Sequence, residues 1–196
     1  MKPDHFYPRI LALSHMPAAI RVKGMNRLHL ECAEAYLAAI RKISAEQAAI
    51  SCEDGRTISV LVAHIAEWER YIIQSVGDVI SGVRRPFILT LKGYRDMDGA
   101  RHDFDSIDDF NAFQTKQYQN TPWSEIQPLA LHTAGALQSI FSQPVLLPFE
   151  LMEKTAPYDW HIPGGSIMSM PIIWYLWTVV MEHEVVDHAR ELGLED

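Results

Sequence analysis

Glu182, His183, Glu184, Asp187 and His188 crowd three carboxylates and two imidazoles into about two helical turns. They follow Trp174–Met181, a nearly unbroken apolar run. A carboxylate and an imidazole one turn apart can give two ligands to one metal ion. Two such pairs exist here, Glu184 with His188 and His183 with Asp187. Thr178, Glu182 and Ala189 mark the solvent side, and the direction opposite to them falls between the pairs, so periodicity does not choose. Ionisable groups on an inner wall are costly unless paired or metal-bound. A further imidazole, His64, stands far upstream in the apolar helical stretch Val60–Arg70. The expected chemistry is a metal site built between helices. The plain alternative is a helix end emerging into solvent, with Glu184 and His188 as an ordinary ion pair.

The elements that must position these groups are helical by pattern. Leu28, Cys32, Tyr36, Leu37 and Ile40 form an apolar stripe in a first helix, Gly24 to Ile43. A second helix, Thr57 to Val79, carries Val60, Leu61, His64, Trp68, Tyr71 and Ile72 near one face. Gly82 to Asp105 reads as a long loop broken by Pro86, Gly93 and Gly99. Ser106 caps a short helix reaching Tyr118. A third long helix spans Trp123 to Ser142, and Gln143 to Ser169 is a second proline-rich loop. The fourth helix runs from Met170 to Leu192 and stops at Gly193. Residues 1–20, with three prolines, read as a surface arm. No useful strand alternation is seen, so the expectation is one all-α domain over residues 1–196, a four-helix bundle.

Bulk properties narrow the partners. At 196 residues and 48% hydrophobic content the chain can bury a real core. A net charge of −8 offers no basic stripe for nucleic acid. The apolar run from Pro171 to Met181 is too short for a bilayer, and the N-terminus lacks the apolar run of a signal peptide, so a cytoplasmic protein with no membrane partner is expected. Cys32 and Cys52 form no CxxC spacing, which argues against a disulfide framework and a cysteine zinc site. Phosphate-loop, nucleophile-elbow and di-iron patterns are absent as well.

The segment Val62-Ala-His64-Ile-Ala-Glu-Trp-Glu and the ending His188-Ala-Arg-Glu-Leu192 resemble the DinB-like superfamily of metal-binding four-helix bundles, which includes the mycothiol-dependent maleylpyruvate isomerases. The resemblance covers roughly residues 24–193. It implies a ligand triad of His64, Glu184 and His188, with His183 and Asp187 as the alternative register. It also implies a divalent ion (zinc, nickel or iron), a low-molecular-weight thiol as cosubstrate, a small-molecule substrate, and a homodimer. The implied function is a metal-dependent, thiol-using transferase or isomerase. A metal-dependent hydrolase is the enzymatic rival, and a non-catalytic binding or stress-protection bundle is the rival from another class. Glu67, one turn from His64, and Glu182 are candidate acceptors for imidazole N–H groups. Trp160 and His161, in the loop before the fourth helix, are candidate pocket residues.

Overall fold

The polypeptide was examined as a computed structural model that describes residues 5–195. The apolar stripes foreseen in the sequence do become helices. In α2 (Ala18–Lys42) the side chains of Leu28, Cys32, Tyr36 and Ile40 all turn inward and are fully buried. Thr57 starts α4 (Ile58–Ile80) by accepting from the Val60 N–H, and Ser106 starts α5 (Ile107–Tyr118) by accepting from the Asp109 N–H. Each cap satisfies a backbone donor that has no partner within the helix. Between α2 and α4, Ser44 and Gln47 form a reciprocal capping box on the one-turn helix α3 (Ala45–Ala48). The long α6 (Trp123–Ser142) packs against both α2 and α4, and α4 also packs against α5 and α8 (Ile172–Glu182). His64 on α4 and the end of α8 are thereby brought together.

The expected all-α DinB-like four-helix bundle does not describe this fold. Among the described residues there are eight α-helices and two separate two-stranded antiparallel sheets. In place of a surface arm, α1 (Phe6–Ser14) is a helix whose Phe6 and Ile10 enter the core. Its prolines stand at positions a helix tolerates, Pro8 in the first turn and Pro17 before α2 begins. α1 packs against α2, where Gly24 offers no Cβ to obstruct Leu13.

Both expected loops contain hairpins. In the first, β1 (Lys92–Arg95) pairs with β2 (Arg101–Asp103). Asp96 closes the turn by accepting from the backbone N–H groups of Asp98 and Ala100. In the second, which follows the one-turn helix α7 (Phe149–Met152), β3 (Pro157–Ile162) pairs with β4 (Ser166–Pro171) in unbroken register. Pro163-Gly164-Gly165 makes that turn, with Gly164 and Gly165 at φ of 94° and 90°, where a side chain would be strained. Along β3 the inward residues Trp160 and Ile162 alternate with exposed Asp159 and His161, a period of two hidden among prolines. No helix among the described residues is long and apolar enough to cross a membrane.

Candidate metal centre

The apolar wall of α8 ends at Glu182, and the next five residues, His183–Asp187, form a π-helical turn. In an α-helix, residues five apart point about 140° away from one another. The wider π turn overcomes that divergence, and the rings of His183 and His188 stand with centroids 4.7 Å apart. Across from them, His64 on α4 lies 5.1 Å from the His183 ring and 5.5 Å from that of His188. One ligand atom from each of the three imidazoles lies within 4.8 Å of the other two, an arrangement able to hold a divalent metal ion. Single-turn π segments inserted in α-helices occur frequently at functional sites.

The hydrogen bonds set the tautomers. His64 Nδ1 lies 2.7 Å from Gln114 Oε1 on α5, and an amide oxygen can only accept, so Nδ1 carries the proton. His183 Nδ1 likewise faces Asp187 Oδ2 at 3.1 Å. In both rings the Nε2 lone pair is left for another partner. The Nε2 atoms of His183 and His188 are buried with no hydrogen-bond partner. An orphaned buried nitrogen is costly, and a metal ion would satisfy it.

The electrostatics also favour neutral, metal-ready imidazoles. Burial, with the neighbouring His183 and Arg56 charges, lowers the His64 pKa to about 2. Burial and the His183 charge lower that of His188 to about 4, against the pull of Asp187. Burial works against ionising Asp187, yet its bond to His183 and the charges of both imidazoles hold its carboxyl below the ordinary range.

Compared with protein-family models, with curated proteins and with solved structures, the chain matches none of them. The resemblance to DinB-like bundles is therefore withdrawn on two grounds, the absence of any family match and the two sheets that interrupt the helices. The thiol-using transferase or isomerase that it implied is withdrawn with it, and so is the stress-protection bundle. The short motifs around His64 and His188 reflect apolar helix faces that carry histidines, a pattern too general to identify a family.

The candidate residues are distributed as follows. His64 and His188 meet, and the ring that joins them is His183. Glu184 lies outside this group. Its carboxyl, fully buried, faces that of Glu69 on α4, and neither has another hydrogen-bond partner. Burial raises the pKa of both, so the pair retains a proton. Asp187 touches His183 rather than joining the ligand group. Glu67 is fully buried and accepts from the hydroxyls of Tyr94 and Tyr118 and from Arg70 Nη1, which fastens β1 and α5 to α4. Glu182 accepts from Tyr7 Oη at 2.8 Å and Trp160 Nε1 at 2.9 Å. Trp160 is thus a tie between the second hairpin and α8, and it lines, with exposed His161, a hollow beside the one at the histidines.

Three contributors were not foreseen. Gln114 orients His64, Trp68 packs its indole against both His64 and His183, and Asn111 accepts from that indole N–H at 3.2 Å. Trp68 lies on the stripe that carries His64, so periodicity did signal it. Gln114 and Asn111 had no signal, because the face that α5 turns toward α4 is not written in either helix alone.

Proposed function

We propose that this protein binds one divalent transition-metal ion through Nε2 of His64, His183 and His188, and uses it on a small molecule held in the adjoining cavity. The observation that supports the reading most is the pair of orphaned Nε2 atoms converging with a third imidazole whose Nδ1 is already occupied. Three neutral imidazoles suit zinc, nickel, copper or ferrous iron. Three protein ligands leave at least one position open, the pattern of a reactive rather than a structural site.

A cavity of about 690 Å³ opens beside the three rings, within the range of small-molecule sites. A divalent ion there would supply Lewis acidity and lower the pKa of a coordinated water. The chain's own part is positional. Gln114 and Asp187 hold two imidazoles in the tautomer that presents Nε2, Trp68 packs against two of the rings, and Arg56 contributes positive charge nearby. A hydrolytic or addition reaction at a polarised group is the class of chemistry these features support.

The test is zinc and nickel affinity by competition with a chromophoric chelator. One ion per chain is expected for the wild type, with at least a hundredfold weaker binding after His64→Ala, His183→Ala or His188→Ala. Equal affinity in all four proteins would sink the assignment.

A further inference from the structure

The cavity beside the histidines has a shape and polarity that go beyond metal binding, and the inference drawn from them rests on the metal reading above. Its two long walls are α4 and α8. On α4 the lining residues run from His64 through Trp68 to Ile72, and on α8 they run back from His183 through Val179 to Tyr175. Each wall spans eight residues, or about 12 Å at the helical rise. The histidines therefore stand at one end of an elongated cleft. Leu89, Leu91 and Ile107 close its sides and Tyr158 joins Tyr175, the two rings 4.4 Å apart.

Polar character is confined to the histidine end. Every carboxylate in the lining already has its own partner there. Asp187 is bonded to His183, Glu182 to Tyr7 and Trp160, and Glu69 faces Glu184. Arg56, bonded to Asp54, adds a positive charge close enough to weigh on both His64 and His188. With a divalent ion in place, this end is electropositive while the remainder is aromatic and aliphatic. Such a cleft selects a molecule with an acidic, metal-seeking head and an apolar tail.

We infer that the ligand of this cleft is a monoanionic amphiphile, a carboxylate or its analogue on an unbranched aliphatic or arylalkyl tail, bound head-first at the three histidines. A short polar acid leaves the apolar walls wet, and a neutral alcohol forgoes the charge at the head. Tail burial releases water from apolar surface in proportion to length.

Cobalt(II)-loaded protein provides the test, because the visible bands of the ion report its coordination directly. Octanoate, acetate and octanol would be titrated against those bands and by calorimetry. Octanoate is expected to perturb the bands and bind at least tenfold more tightly than acetate or octanol. Ile107→Asp places a carboxylate on the exposed first position of α5, where folding tolerates it. It should reduce the preference for octanoate over acetate to less than threefold while cobalt affinity stays unchanged. Equal binding of octanoate and acetate to the cobalt protein would overturn the amphiphile and leave the metal centre standing. Failure of the protein to take up cobalt at all would overturn the metal reading and this inference with it.

Discussion

His183 and His188 face one another across a π-helical turn, with ring centroids 4.7 Å apart and five residues between their positions in the chain. Neither of the two pairings legible in the sequence, Glu184 with His188 or His183 with Asp187, describes this meeting. The π turn takes the imidazole from each and sets the carboxylates to other tasks. Asp187 orients His183 from the solvent side, and Glu184 turns into the interior toward Glu69.

The orienting bonds make the first prediction. A ligand imidazole that loses its second partner typically loses ten- to hundredfold in metal affinity. Gln114→Leu and Asp187→Ala are each expected to weaken zinc binding by about that factor without abolishing it, measured by chelator competition. Affinities indistinguishable from wild type would show that the rings need no such support.

Glu184 makes the second. Its folded-state pKa, like that of Glu69, is raised by burial above the ordinary carboxyl value. The folded protein thus binds more protons than the unfolded chain once the pH exceeds that ordinary value. Stability from the protonated pair is complete below it and is lost as pH rises toward the raised pKa. In chelator-treated protein, Glu184→Gln should therefore gain on wild type progressively as pH rises from 4.5. Parallel urea-denaturation midpoints across that range would rule out a proton held by the pair. The same variant is expected to retain one zinc per chain, since Glu184 lies outside the histidine group.

The third concerns His29, buried in α2 with its Nδ1 accepting from Trp177 Nε1 at 3.0 Å. Burial lowers its pKa to about 4. The unfolded histidine takes up a proton near pH 6.5 while the folded one resists, so stability is lost as pH falls from about 6.5 to about 4. The loss is on the order of 3 kcal/mol. His29→Gln keeps a side-chain acceptor for Trp177 and removes the titration. Its stability should decline less than wild type over this window, and an identical decline would remove His29 from the account.

Glu67 makes the fourth. It is fully buried and satisfied by Arg70, Tyr94 and Tyr118. Removing one partner of a buried pair costs about 3–5 kcal/mol because the remaining groups are stranded. Glu67→Ala should lower the unfolding free energy by about that amount, read from urea titration. A change under about 1 kcal/mol, the scale of an exposed ion pair, would mean that the hub contributes little.

Local information in the chain determined which segments are helical and which side chains could bind a metal. The stripe Leu28, Cys32, Tyr36 and Ile40 is buried as its spacing requires, and the caps at Thr57 and Ser106 open helices where their side chains can accept from the backbone. Charge in an otherwise apolar wall drew attention to His183, Glu184, Asp187 and His188, and an imidazole on an apolar face did the same for His64.

Tertiary structure decided the rest, for physical reasons visible at particular residues. The hairpin of β3 and β4 is held by pairing between strands, and the prolines and glycines that end a helix also allow its turn, so composition alone read it as a loop. Phe6 and Ile10 gain their burial only when α1 meets α2. The grouping of His64, His183 and His188 depends on a local π turn and on the side α4 shows to α8, and helical periodicity averages over both. A sequence can name the residues able to do chemistry because side-chain type is local. It leaves open which of them meet, because a single extra residue in a helical turn rotates everything beyond it by about 100°.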